Sequence, residues 1–406
     1  MSSEQRSSMT RKTGLSPARR TEAVAPSDVL VMIDLADNLK RQGAKVTYMV
    51  QGQPDYDTPD HIKQAAWDAL QSGYTGYPPG EGYIDLRESV ARKLARENGI
   101  EADPETEIII TNGAALGIYL AVTALVDPGD EVLVTNPGYA TYRMVVGSAG
   151  GNPVLVPLRR RDSRLVLESA DLESATTERT RAVIINSPDN PSGRVMNRDE
   201  LVMLGEFAQD RDLAIITDEV YEHFIYEGRK HHSIAALSDD FRQRTITLNS
   251  FSKTYAMTGW RLGYAVAPPS IIESMAKMNA VAGRAAAAFV QRAGLAALDG
   301  PQDCVSQMAE SYARRRDIIL EELATVPGIQ YFPPEGAFYV WIDARSFNMS
   351  STDLAIHILK EGHVVTTPGT YYGPAGEGHL RLSFCIDDRD IRQGIAGLRR
   401  ALEELT

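Results

Sequence analysis

Short runs of Val, Ile and Leu recur through the middle of the chain, separated by longer stretches with helical spacing. The runs 107–111, 131–135, 182–186, 214–217 and 245–248 predict strands, and a further apolar run covers 262–267. Strands that read as near-continuous apolar runs belong to a sheet covered on both faces. The expected fold class is therefore α/β: a mostly parallel sheet with helices on both faces, plus a smaller α+β domain. Ahead of the sheet, 28–43 has helical periodicity, with Leu30, Ile33, Leu35 and Leu39 as buried positions and Gly43 as its stop. The Gly- and Pro-containing segment 50–59 predicts an irregular passage between domains, and helices are expected at 61–72 and 83–97. Beyond the sheet, 271–299 and 304–325 read as two long helices, and 335–342, 364–368 and 380–384 as strands. These boundaries predict an N-terminal flexible arm (1–27), a small domain from 28–55 with 296–406, and a large domain over 56–295.

Composition narrows the function without naming it. The chain has 406 residues, 43% apolar and 24% charged, and a net charge of −12. That charge argues against a general nucleic-acid or anionic-membrane partner, though not against a small anion held locally. Two cysteines, Cys304 and Cys385, exclude a disulfide framework and a Cys-rich zinc module. No run approaches a membrane span. Residues 1–27 are polar and locally basic without an apolar segment, so no secretory signal is expected and the cytoplasm is the expected location. Adjacent His231 and His232 read as structural or exposed residues rather than metal ligands.

Ligands of open α/β sheets sit at the carboxyl ends of the strands, so the residues after each strand carry the chemistry. The run 245–248 is followed by the polar turn 249–252, which delivers Lys253; Arg261 lies eight residues further on. A lysine can form a Schiff base with an aldehyde, and the hydroxyls of Ser250 and Ser252 with Arg261 can hold a phosphate. Together they describe a pocket for a phosphorylated aldehyde. The turn Gly113-Ala114-Ala115 opens a helix after the strand 107–111, presenting free N–H groups and a positive dipole end to an anion.

The motif Ser250-Phe-Ser-Lys253 with Arg261 resembles the cofactor-lysine signature of class I/II aminotransferases, fold-type I enzymes dependent on pyridoxal 5′-phosphate (PLP). The segment Asn186-Ser-Pro-Asp-Asn-Pro-Ser-Gly193 is similar to the family's Asn-Pro-x-Asn-Pro-Thr-Gly loop, and Asp218-Glu-Val-Tyr221 follows the next strand. The resemblance implies that Asp218 pairs with the pyridine nitrogen, that Asn190 and Tyr221 share the phenolic oxygen, and that Tyr139 stacks on the ring. It also implies that Gly52 and Arg381 grip the substrate α-carboxylate, and that Tyr77 reaches the cofactor phosphate of a neighbouring subunit. A homodimer follows. Three positions depart from the pattern. Gln53 replaces a glutamate. Ala115 replaces a hydroxyl or lysine. The region 283–288 lacks a Ser/Thr–Ser/Asn–Pro turn and offers Arg284, either a cation for a substrate side-chain carboxylate or a solvated residue. The expected activity is transfer of an amino group between an L-amino acid and a 2-oxo acid through a Lys253 Schiff base. Elimination, cyclisation or oxidation on the same site is the alternative.

Overall fold

A computed structural model describes residues 28–405, together with Ala18, Thr21, Glu22 and Val24. The expected arm at 1–27 therefore falls almost wholly outside the described residues, as does the side chain of Leu30.

In chain order the strands are β1 (Thr47–Tyr48), β2 (Ile108–Thr111), β3 (Glu131–Asn136), β4 (Asn152–Pro157), β5 (Arg159–Arg161), β6 (Arg164–Val166), β7 (Thr180–Asn186) and β8 (Ala214–Asp218). They continue with β9 (Thr245–Ser250), β10 (Gly263–Val266), β11 (Gln330–Phe332), β12 (Tyr339–Asp343), β13 (Val364–Val365), β14 (Thr367–Pro368) and β15 (His379–Ser383). Seven of them form the main sheet in the order β2-β10-β9-β8-β7-β3-β4. All neighbours are parallel except β10, which runs against both β2 and β9. Every residue of β2, β3 and β9 is buried, as expected for a sheet covered on both faces. One face packs on the helices Ala114–Leu125, Ala140–Ser148 and Pro269–Ala282 through Ile118, Val146 and Met275. A second, antiparallel sheet has the order β11-β12-β15-β14. Its cluster joins Met32, Met49 and Val50 to Phe338, Leu382 and Leu398.

Several expectations change. In the helix Asp28–Arg41, Met32 and Ala36 are the buried positions; Ile33 and Leu39 are partly buried and Leu35 is 36% exposed. The buried stripe is Met32/Ala36, spaced i, i+4, so the larger leucine at 35 faces outward. The stretch 271–299 is two helices, Pro269–Ala282 and Ala288–Asp299, because Arg284 adopts φ +54, which no helix continues. The expected helix over 83–97 is α-helical over Ile84–Lys93 and then widens into a π-type turn, Leu94–Asn98. The strand expected at 364–368 is split: β13 pairs with β1, while β14 pairs with β15 in the other sheet. The strand expected from 335 begins only at Tyr339, and the last strand sits one residue earlier than expected.

Candidate active site

The carboxyl ends of β7, β8 and β9 end on Asn186, Asp218 and Ser250, and they open into a cavity of about 580 Å³. Register places Asn186 beside Asp218. The cavity is lined by Gly52, Ala114, Ala115, Tyr139, Asn190, Asp218, Tyr221, Ser250, Ser252, Lys253, Arg261 and Arg381. Gly113 lies against it through Arg261. Residues spread over more than 300 positions thus converge here: Asp218 and Ser250 end strands, Ala114 and Ala115 open a helix, and Arg381 comes from β15 of the second sheet.

Asp218 is buried, and its hydrogen-bond donors are neutral: the Tyr142 hydroxyl at 2.8 Å and the Val220 N–H at 3.3 Å. Burial pushes its carboxyl up to about 6, since these contacts and the Lys253 charge only partly offset lost hydration. Asn186 fixes its surroundings, donating to the Asp218 carbonyl at 2.8 Å while its own amide oxygen accepts from the Asn190 N–H at 2.8 Å. Lys253 sits in the short helix Phe251–Thr254 that Ser250 caps. Burial lowers its amine to about 8, and its Nζ donates to the Gly52 carbonyl. A buried amine held near neutrality is a nucleophile and base at working pH.

At one end the cavity is built for an anion. The helix Ala114–Leu125 starts from Gly113, whose φ is +80 and at which a Cβ would come within 2.6 Å of Arg261 Nη2. Arg261 itself has φ +55, a left-handed conformation rare for a bulky residue and often found at ligand sites. Its Nη1 donates to the Thr258 carbonyl at 2.9 Å. The Ser250 and Ser252 hydroxyls are 2.9 Å apart beside it. At the other end Arg381 is buried on β15, stacked 4.3 Å from the Tyr339 ring and 5.2 Å from that of Tyr372. It donates to Asn190 Oδ1 at 3.0 Å, to Thr367 Oγ1 at 3.3 Å and to the Val50 carbonyl, all neutral acceptors, and its Nε has no partner. A buried guanidinium without a carboxylate is an open demand for one.

Two expected site residues stand apart. Tyr77 is 86% exposed and Arg284 packs over its ring at 5.0 Å; neither lines the cavity. Ala115 lines it but is an exposed position at its mouth. Tyr221 donates to or accepts from Tyr339 at 2.9 Å, and Asn190 offers its oxygen to Arg381. Tyr142, Asn186, Tyr339 and Tyr372 line the site without having been singled out. A weak signal existed for Tyr142: it follows Tyr139 by three positions at the start of a helix, and their rings meet edge to face at 5.4 Å. His231, expected from the sequence to be structural or exposed, has its Nε2 2.8 Å from Glu219, with Glu222 close by.

An α/β protein thus gathers a buried lysine and carboxylate at its strand ends, a helix start set against Arg261, and a buried arginine with neutral acceptors around one cavity. The chain belongs to aminotransferase class I and II, whose description matches residues 44–398. It is 38% identical over 393 residues to a probable aspartate/prephenate aminotransferase of Aquifex aeolicus, covering 96% of this chain and 99% of that one. It is also 38% identical to aromatic-amino-acid aminotransferase 2 of Thermococcus litoralis, covering 95% and 98%. The solved aspartate aminotransferase from Thermus thermophilus with maleate superposes with a TM-score of 0.89 at 36% identity, over 96% of this chain and 100% of that one. The chain is an aminotransferase of fold type I, and its family uses PLP.

Proposed function

We propose that the chain holds PLP through Lys253 and moves the α-amino group of an L-amino acid to a 2-oxo acid, working as a homodimer. The observation that carries this is Lys253, a buried amine lowered to about 8, in one cavity with Asp218 and Arg381.

The residues fit the cofactor at each of its groups. Arg261, Ser250, Ser252 and the N–H groups at 113–115 suit the phosphate; Asn190 and Tyr221 suit the phenolic oxygen; Tyr139 suits a ring face; and Asp218 offers its carboxylate to a ring nitrogen. When bound, the cofactor supplies the electron-withdrawing ring that lets the α-carbon of an amino acid lose its proton. Arg381 would take the α-carboxylate with two parallel hydrogen bonds, supported by the Gly52 N–H. The Lys253 amine would act as general base on the α-proton and hold that proton for its return. Tyr142 and Asn186 would hold Asp218 in place, since a buried carboxylate with a fixed donor cannot reorient when charge develops near it. The aromatic wall of Tyr139, Tyr339, Tyr371 and Tyr372 would keep water from these groups.

Exposure of Tyr77 at 86% and of Val281 at 83% supports a subunit interface at that surface. Packing of Met32, Met49 and Val50 with residues of 308–402 supports a small domain built from 28–55 with 296–406, and the same cluster takes in Val220, Phe224 and Tyr226 of 56–295, on which that domain rests. Free thiols at Cys304 and Cys385 suit the cytoplasm, the compartment we assign. Among described residues, no helix is long and apolar enough to cross a membrane.

The test is visible absorbance of the PLP-loaded protein while aspartate, phenylalanine and tyrosine are added singly. Loss of the band, release of an equimolar oxo acid and recovery with a second oxo acid are expected. Lys253→Ala should lose turnover by at least about 10³-fold. Turnover near the wild-type level in that variant would refute the assignment.

A further inference from the structure

A buried polar network stands directly behind the turn that carries Asp218 and Tyr221. It begins where the helix Ile84–Lys93 widens into the π-type turn Leu94–Asn98, which ends on Gly99 at φ +69. Such irregular turns interrupt the helical ladder and are common near functional sites. Lys93, with a side chain 4% exposed, donates to Glu222 Oε1 and, at 2.7 Å, to Asn98 Oδ1. Asn98 donates to Glu222 Oε2 at 2.6 Å and to Ser233 Oγ at 3.0 Å. Asn249 donates to Glu222 Oε1 at 2.7 Å, and its own Oδ1 accepts the Ser250 N–H at 2.7 Å. Glu219 accepts from Ser233 at 2.5 Å and pairs with His231. His223 and Glu97 close the outer edge, with His223 Nε2 3.5 Å from Glu222 and 3.6 Å from Glu97.

One carboxylate, Glu222, therefore ties three separate pieces of chain together: the π-type turn, the turn 218–222, and the segment 249–253. Asp218 lies four residues before it, and Lys253 four residues after the asparagine it holds. Ligand atoms of Glu219, Glu222 and His231 lie within 4.8 Å of one another, as they would around a metal, but the Lys93 ammonium already serves Glu222 there. Buried ion pairs add little net stability, so stability alone gives this arrangement no purpose. Resting on the roles assigned above to Asp218 and Lys253, we propose that Lys93, Glu222 and Asn249 are positioning residues that fix the Asp218 carboxylate relative to the Lys253 amine.

The test compares PLP-loaded Lys93→Met, Glu222→Gln and Asn249→Ala with the wild type and with Glu131→Gln. The last removes a buried charge paired with Arg179 at 2.8 Å, at the opposite end of the sheet. Each protein is followed by kcat, KM, the pH midpoint of its visible cofactor band, and its unfolding temperature. Expected in the three network variants is a kcat loss of about tenfold or more with KM within about twofold, and a displaced pH midpoint. Glu131→Gln should lower only the unfolding temperature. If the network variants lose stability while kcat and midpoint stay at wild-type values, the network is merely structural and the proposal falls. Should Lys93→Met or Glu222→Gln not fold, Asn249→Ala, which leaves the Lys93–Glu222 pair intact, decides by the same readings. A wild-type protein that neither takes up PLP nor transaminates would instead overturn the functional assignment, a separate outcome.

Discussion

Asp218 and Glu222 are both buried, four residues apart on one turn, and their acidities move in opposite directions. Burial raises Asp218 to about 6. Burial acts on Glu222 as well, but Lys93, His223 and His231 outweigh it and hold the carboxyl down at about 2. The difference is a cation. The fold supplies one to Glu222 and gives Asp218 only neutral donors, Tyr142 and the Val220 N–H. Two buried carboxylates of similar exposure thus separate into a satisfied structural group and one whose counter-charge must arrive with a ligand. Arg381 is the complementary case: a buried cation with neutral acceptors, suited to an arriving carboxylate.

Neutralising each carboxylate in turn should separate their roles most widely. Asp218→Asn should lower kcat by about 10²–10³-fold or more, whereas Glu222→Gln should cost only about tenfold. Equal losses would erase the distinction between the two groups. Next in size is Arg381→Lys, which keeps the charge but not the planar fork. It should lower kcat/KM by about 100-fold, mainly through KM, with kcat measured alongside at saturating substrate.

Stability of the cofactor-free protein should then separate the pair by sign. For Asp218 the folded protein binds the extra proton between pH 4 and 6, so this group removes stability as pH rises through that window. At about 1.4 kcal/mol per pH unit the loss is on the order of 3 kcal/mol. Asp218→Asn should therefore raise the unfolding temperature at pH 7.5 despite its large loss of kcat. Glu222, with its pKa lowered to about 2, contributes stability that is present above about pH 4.5 and lost as pH falls toward 2, so Glu222→Gln should lower the unfolding temperature at pH 7.5. Thermal melts of both variants between pH 4 and 8 check the signs. The smallest effect concerns Lys253, whose amine must be neutral to react. PLP uptake by the cofactor-free protein should accelerate with pH and level off above about pH 8, following the lowered amine. A midpoint at the ordinary lysine value of about 10.4 would contradict the burial argument.

Much of the site was legible because it is local. Lys253, Ser250, Ser252 and Arg261 lie within one strand–turn–strand segment, and Asn190, Asp218 and Tyr221 each follow an apolar run that announces the strand before it. The contacts that tune them were not legible. Tyr142 meets Asp218 across 76 positions, Lys93 meets Glu222 across 129, and Arg381 meets Asn190 across 191. Nothing in the local spacing of a lysine at a helix end distinguishes a buried partner from a solvated surface charge. The break at 283–287 was equally hidden, since Gly283 and a run of alanines do not by themselves force Arg284 to φ +54.

The α/β architecture and the type of chemical group at each strand end are already written in the linear order of residues. Apolar runs and turn residues act through local conformational preference and burial, which a linear pattern records. Tertiary structure alone decided which of two neighbouring carboxylates keeps a cation and which goes without, and that the Lys253 amine sits near 8 rather than at its ordinary value. Those outcomes depend on desolvation and on charges brought together from distant parts of the chain, quantities that exist only once the chain has folded.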